Sequence, residues 1–372
     1  MEAKQAIVNL LNYADIKIDG DNPWDIKVLN DEFYSRVLAE GNLGLGESYM
    51  DGWWECKELD TFIFKILRAD IEHKYNSEII VRAAKEKFKH FFNPQSIANS
   101  KKDIHFHYDI GNVLFENMLD KRMIYSCAYW KNSNTLDEAQ EAKLDLICKK
   151  IGLKPGMTLL DIGCGWGSFM KYAAEKYGAI CTGVTLSKEQ IKLGEELCAG
   201  LPVTFLYTDY REYKGQEFDR IVSIGMFEHV GPQNYKTYME KASSLLKEDG
   251  IFLLHTIGGL KSSSECDKWI RKYIFPNGTI PSIKEIGESM ENIFYMEDWQ
   301  DFGPYYDTTL MEWYNNFEKN WNIIGQHYDE RFKKMWEYYL LSCAGAFRAR
   351  DLGLWQLVLT KKRYPKPICR FS

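Results

Sequence analysis

The chain is expected to fold as an α/β protein, a doubly wound and mostly parallel sheet preceded by a small, mainly helical N-terminal domain. Three observations predict this. From about Leu136 onward, strand-length apolar runs alternate with helix-length segments. The run Thr158–Ile162 feeds a glycine triplet that opens a helix. Ahead of the polar stretch Asn93–Lys102, by contrast, short helical patterns are separated by Gly-rich turns. Strands and helices alternating at these lengths bury a parallel sheet between helical layers, and ligands then bind beyond the carboxyl ends of the strands.

In the N-terminal region, helical patterns cover Ala6–Tyr13, Asp31–Leu38 and Leu59–Ile71, with Gly44–Trp54 read as a Trp-bearing turn segment. In Ser77–Phe92, Ile79, Ile80, Ala83, Ala84, Phe88, Phe91 and Phe92 recur at helical spacing. The opposite face carries Arg82, Lys85, Lys87 and Lys89 against Glu78 and Glu86. Such a helix either packs on a small domain with its basic face in water or leans on anionic lipid. The break at Asn93-Pro94 sets the expected organisation: residues 1–92 a helical domain, 93–101 a linker, 102–372 the catalytic domain.

Within the catalytic domain, Thr135-Leu-Asp-Glu138 is a capping box that opens a helix to Ile151. Strand Thr158–Ile162 is followed by a helix ending near Tyr177 and by strand Ile180–Val184. Ser187-Lys-Glu-Gln190 reads as a second capping box. Strands Val203–Tyr207, Arg220–Ile224, Ile251–His255 and Leu354–Leu359 follow, with a helix over Tyr235–Leu246. Gly258–Met296 interrupts the rhythm and is expected to be an insertion over the site.

Composition narrows the function. The net charge of −6 argues against sequence-independent binding to nucleic acid, which needs a broad basic face. No run of apolar residues is long enough to span a bilayer. The start Met1-Glu-Ala-Lys-Gln5 lacks an export-signal layout, and nine cysteines without a C-x-x-C pair suit a reducing compartment, so a cytoplasmic protein is expected. His105-Phe-His107 has no further ligands nearby, and no metal is expected. Aromatic residues reach 15%, including 11 Trp and 23 Tyr, which suits a site for apolar or cationic groups as well as a Tyr-rich core.

The chemistry concentrates in Leu159-Leu-Asp-Ile-Gly-Cys-Gly-Trp-Gly167. A strand ends in Asp161, and Gly163, Gly165 and Gly167 turn the chain tightly into a helix while leaving backbone open to a nucleotide. A dinucleotide loop would place a third glycine where this chain has Ser168. An acid ahead of the glycines suits S-adenosylmethionine, which carries an amino acid and a sulfonium in place of pyrophosphate. The usual ribose-binding acid after the second strand is missing from Gly183-Val-Thr-Leu-Ser187, leaving Thr185 and Gln190 as hydrogen-bonding groups. Asp209-Tyr-Arg211 offers an acid and an aromatic plane for adenine. Met226-Phe-Glu-His-Val-Gly231 and His255-Thr-Ile257 put a carboxylate and an imidazole past two strand ends that the sheet brings to the glycine-loop edge.

These residues resemble the cyclopropane-fatty-acyl-phospholipid synthases, relatives of the mycolic acid cyclopropane synthases. The likeness runs through His107-Tyr-Asp-Ile-Gly-Asn112, Met123-Ile-Tyr-Ser-Cys-Ala-Tyr-Trp130, the glycine loop, Phe227-Glu-His-Val-Gly231, Tyr273-Ile-Phe-Pro-Asn-Gly278, Tyr306-Asp-Thr-Thr309 and Cys343-Ala-Gly-Ala-Phe-Arg348. It spans essentially the whole chain, including an N-terminal region that the mycolic branch lacks. The resemblance implies a Rossmann-like methyltransferase sheet and attack by a cis alkene of a phospholipid acyl chain on the cofactor methyl. A proton then passes to a bound bicarbonate as the ring closes. By motif position the bicarbonate is held by Cys127, Glu228, His255, the backbone at Ile257, and Tyr306, with Glu228 either orienting His255 or, as expected, accepting the bicarbonate hydroxyl. The cofactor is surrounded by Tyr125, Ser126, Asp161, Gly163, Cys164, Gly165, Thr185, Leu186, Gln190, Asp209, Tyr210 and Arg211. The resemblance further implies a homodimer that binds the inner face of the membrane peripherally. The competing reading is methylation of a small amine or another heteroatom.

Overall fold

The computed structural model describes residues 3–71, 111–262, 266–362 and 365–371. The segment Ser77–Phe92, the 93–101 linker and the His105–His107 pair lie outside the described residues. In chain order the main elements are α1 (Ala3–Tyr13), β1 (Ile26–Val28), α2 (Glu32–Glu40), α3 (Asn42–Met50), β2 (Trp54–Cys56), α4 (Leu59–Arg68) and α5 (Asn112–Met118). Then come α6 (Leu136–Lys150), β3 (Thr158–Ile162), α7 (Ser168–Tyr177), β4 (Ile180–Thr185), α8 (Lys188–Leu197), β5 (Val203–Tyr207), β6 (Phe218–Ile224), α9 (Tyr235–Leu245) and β7 (Leu246–Gly259). The chain closes with α10 (Lys268–Tyr273), α11 (Ile283–Met290), β8 (Tyr295–Asp301), α12 (Gly303–Lys319), α13 (Trp321–Ile324), α14 (Glu330–Ala349) and β9 (Leu352–Thr360).

Two compact units divide these elements. The first takes Met1–Asn93 together with Glu265–Pro276 and Tyr306–Leu352; the second takes Pro94–Ser264, Asn277–Tyr305 and Gly353–Ser372. The N-terminal helices therefore share a core with segments from far down the chain, which a reading by sequence continuity does not anticipate. Trp54 anchors that core. It is fully buried, meets Phe33, Tyr49 and Phe62 at 5.1–6.0 Å between ring centres, and donates its indole N–H to Ser48 and to the Leu45 carbonyl.

The segment expected as a turn, Gly44–Trp54, instead contributes most of helix α3. Its glycines serve packing: a Cβ on Gly46 would sit 2.4 Å from the ring of Trp269, which α10 lays against this helix. Close approach won over the intrinsic helix-weakening of glycine.

In the second unit the sheet has seven strands in the order β5-β4-β3-β6-β7-β9-β8. The pairs β5/β4, β4/β3, β3/β6 and β6/β7 are parallel and β9/β8 is antiparallel, so the doubly wound, mostly parallel class holds. Central strands are apolar on both faces. Leu160, Ile162, Ile221, Phe252 and Leu254 join one buried cluster, while Leu159, Val222, Ile251 and Leu253 join another. Alternation between clusters is what a sheet sandwiched by helices requires.

Thr135 forms the expected capping box with Glu138. Ser187 caps α8 by accepting from the Gln190 amide, without the reciprocal half of a box. Strand β8 has no counterpart in the sequence expectation. Tyr295–Asp301 carries three acids and no fully buried residue, so pairing with β9 at the sheet edge, not periodicity, makes it a strand.

Candidate active site

The carboxyl ends of β3, β4, β6 and β7 gather the residues singled out by the motifs. Strand β3 delivers Asp161, buried, with one carboxylate oxygen lacking a hydrogen-bond partner among the described residues. Beyond it the loop is pinned by the Gly163 and Cys164 amides, which donate to the Val184 carbonyl at 3.0 and 3.2 Å. Gly163, Gly165 and Gly167 all have left-handed φ, of 84°, 54° and 81°. A Cβ added at Gly165 would have Gln190 Nε2 as its nearest neighbour, 4.0 Å off, so the surrounding side chains leave the backbone uncovered. An open, left-handed glycine beside a buried unpaired carboxylate is a cradle for a ligand that approaches the main chain. Cys164 turns its thiol toward Gly183 and is buried, so only its backbone can face a ligand there.

Strand β4 ends in Thr185, whose hydroxyl donates to Gln190 Oε1 at 2.9 Å, while Leu186 is buried beside it. After β5, Asp209 is held by Arg211 through Nε at 2.8 Å, Nη2 at 2.7 Å and the backbone amide at 2.9 Å. Tyr210 is buried and meets Tyr238 edge-on at 5.1 Å. The acid of this trio is therefore committed to its neighbour, and the tyrosine contributes to the core.

The segment ahead of α6 brings Tyr125, Ser126 and Cys127 to the same edge. Tyr125 packs edge-on against Phe115 at 5.2 Å, and the Cys127 thiol donates to the Ala128 carbonyl at 3.2 Å. Two side chains of α6 hold this segment: Gln140 Nε2 donates to the Ser126 carbonyl at 2.9 Å, and Lys143 Nζ to Ser126 Oγ at 2.8 Å. Neither residue was among the sequence candidates. The signal was present, because Gln140 and Lys143 lie in register with the apolar Leu136, Ala139, Leu144 and Ile147, where a solvated residue does not belong. Lys143 is the electrostatic hub. Burial pushes it down to about 8, opposed by the charges of Asp120, Cys127 and Asp161. Burial pushes Asp161 up to about 7, with Lys143 opposing. Lys143 also disfavours the charged form of His255.

Past β6, Glu228 turns back so that its Oε1 accepts from the Ile257 amide at 2.6 Å, while its other oxygen is shut from water with no partner among the described residues. Burial lifts this carboxyl up to about 7. His255 pairs with Ile224 in the β6/β7 register and is buried; its Nδ1 faces Gln356 Nε2 at 3.1 Å and its Nε2 has no partner among the described residues. Burial, with Lys143 and Lys150 adding to it, holds the imidazole well below its usual range, so it is neutral. Ile257, expected to offer its amide to an anion, already gives it to Glu228. Tyr306 belongs to the first unit, where its ring packs on Phe347 at 4.6 Å and edge-on to Trp313 at 6.0 Å.

The mycolic acid cyclopropane synthetase family model matches residues 95–357. The chain belongs to that family. A cyclopropane-fatty-acyl-phospholipid synthase of Escherichia coli strain K12 is 54% identical over 356 residues, covering 95% of this chain and 92% of its own length. A solved cyclopropane synthase of Mycobacterium tuberculosis is 34% identical with a TM-score of 0.66, covering 70% of this chain and 98% of its own. A mycolic acid cyclopropane synthase complexed with SAH and CTAB is 37% identical, also at 0.66, and covers the same 70% of this chain and 98% of its own. The sheet is thus a class I methyltransferase sheet. The mycolic structures cover 70% of the chain, against 95% for the Escherichia coli relative.

Proposed function

We propose that the enzyme transfers the methyl of S-adenosylmethionine to the cis double bond of an unsaturated phospholipid acyl chain and closes a cyclopropane ring, the released proton going to bicarbonate. The observation that carries the reading is the pair of buried, unpartnered atoms Glu228 Oε2 and His255 Nε2, set at adjacent strand ends beside the open glycine loop. Buried polar atoms are nearly always paired, and orphans at a sheet edge of this kind are held for a ligand. S-adenosylmethionine supplies the electrophilic methyl when bound. Gly163, Gly165, Ser126, Thr185 and Gln190 orient it, and the Lys143 charge behind Ser126 favours a carboxylate at that hydroxyl. Cys127, Glu228 and His255 hold the bicarbonate, which accepts the proton; the Ile257 backbone, whose amide goes to Glu228, and Tyr306 are assigned to it on motif position alone. Neutral His255 can donate from Nε2, and Glu228, balanced near neutrality, can accept the bicarbonate hydroxyl. A carbocation-like transition state needs a dry slot, and aromatic faces stabilise it without reacting.

With a trideuterated methyl donor, ring formation leaves two deuterons in the product and heteroatom methylation leaves three. Retention of three excludes the cyclopropane reading. In buffer rigorously depleted of carbon dioxide, turnover falls and added bicarbonate restores it; undiminished turnover removes bicarbonate from the scheme. Peripheral contact with an anionic bilayer and homodimer formation complete the proposal. Among the described residues no helix is long and apolar enough to cross a membrane, consistent with a bilayer met from one side. Changing Lys85, Lys87 and Lys89 to Glu abolishes flotation with anionic vesicles if the basic face is the contact; sedimentation or light scattering of the purified enzyme reads the dimer.

A further inference from the structure

One buried side chain at this edge carries no assigned role. Gln356, on β9, is fully buried in a strand whose neighbours Trp355, Leu357, Val358 and Leu359 are all apolar and buried. A primary amide in such a run is costly unless its hydrogen bonds are used. Its Nε2 lies 3.1 Å from His255 Nδ1, and its Oε1 has no partner among the described residues. The hydrogen bond it makes goes to one ring nitrogen of one imidazole.

We propose that Gln356 is a positioning residue that donates to His255 Nδ1 and thereby holds the imidazole as its neutral tautomer with the proton on Nε2, aimed at the bicarbonate. The proposal rests on the anion-holding role given to His255 above and specifies how that role is secured. A nitrogen that accepts a hydrogen bond cannot itself carry the proton, so the single proton of the neutral ring goes to the other nitrogen. An imidazolium, with a proton on both nitrogens, would set N–H against N–H at the Gln356 contact. The same contact fixes the plane of the ring. The groups around His255 act in the same sense. Lys143 and Lys150 of α6 are the cations whose fields reach it, and both oppose its protonation. Glu228, which follows β6, is bound to the Ile257 amide and gives no counter-charge to the ring. Without Gln356, burial would still keep the ring neutral but would leave the tautomer free. A bare Nε2 pointed at an anion repels it, whereas Nε2–H binds it.

The test uses the whole enzyme with 15N-labelled histidine. In the parent, NMR over pH 6–8 should show the His255 Nδ1 as unprotonated and Nε2 as protonated. Gln356→Glu, the same size but an acceptor toward Nδ1, should move the proton onto Nδ1. It should also raise the bicarbonate concentration needed for half-maximal activation by about tenfold or more, leaving the KM for S-adenosylmethionine unchanged. Gln356→Met, with nothing to offer Nδ1, should fall between the two. A parent ring protonated on Nδ1, or a Gln356→Glu enzyme whose nitrogen signals and bicarbonate requirement match the parent's, overturns the proposal. If the parent needs no bicarbonate at all, the anion reading fails by itself, while the nitrogen signals of the free enzyme still decide the role of Gln356.

Discussion

Two polar clusters, one in each unit, show opposite uses of polar groups drawn out of water. In the first unit Arg348 gives Nε and Nη2 to Asp307 at 2.9 and 3.0 Å and Nη1 to Asp60 at 2.6 Å. A guanidinium held by two carboxylates fastens α14 to α4 and is raised above its ordinary range by those bonds. In the second unit Glu228 and His255 each use one polar atom on the protein and leave the other without a partner. A matched cluster stabilises the fold, because every desolvated group regains a hydrogen bond. An unmatched one costs stability, which only a ligand offsets.

The largest expected effect tests the unmatched cluster. His255→Asn should lower cyclopropane formation by about 10²–10³-fold, as for loss of a positioned donor at a reacting centre, measured by product analysis with saturating lipid and donor. Turnover near the parental value would mean that the unpaired nitrogen has no catalytic purpose.

A second test concerns pH. The Glu228 carboxyl moves from 4.5 to about 7 on folding, so its contribution is fully present below 4.5 and is lost as pH rises through 7. The ionised form therefore costs the free enzyme about 3 kcal/mol above pH 7. Glu228→Gln should melt higher than the parent at pH 8, with the difference vanishing near pH 4, while turnover collapses. Equal melting at pH 8 would show that the carboxylate is not strained there.

For the matched cluster the expectation reverses. Arg348→Ala should destabilise by about 2 kcal/mol, a Tm lower by about 4–8 °C, since it strands two carboxylates. The KM for bicarbonate should not move.

The smallest effect comes from Lys150, buried in α6 at 3.7 Å from Asp298, which also keeps Arg370 at 2.5 Å. Lys150→Met should change stability by about 1 kcal/mol at most, of either sign, because removing a poorly paired buried charge is close to neutral. A large loss would place Lys150 among the matched groups.

These contrasts separate what could be read from residues and what could not. The strands β3 to β7 and the helices between them follow from periodicities of two and 3.6 and from caps at Thr135 and Ser187, all local properties. The glycine loop, Glu228 and His255 were legible because chain order in a doubly wound sheet dictates which strand ends meet. Strand β8 was not, since an edge strand draws its stability from its neighbour. Nor was α3, whose Gly46 answers to Trp269, far away in the chain.

By itself, then, the sequence determined the fold class and the family, and it named the strand ends at which the candidate residues gather, because each is encoded in short-range pattern and chain order. Only the tertiary structure decided that Lys143 stands behind Ser126, that Glu228 takes the Ile257 amide, and that Gln356 meets His255 across 101 residues. Those are pairings of single buried atoms. Which donor finds which acceptor depends on packing between distant segments, and no local propensity carries that information.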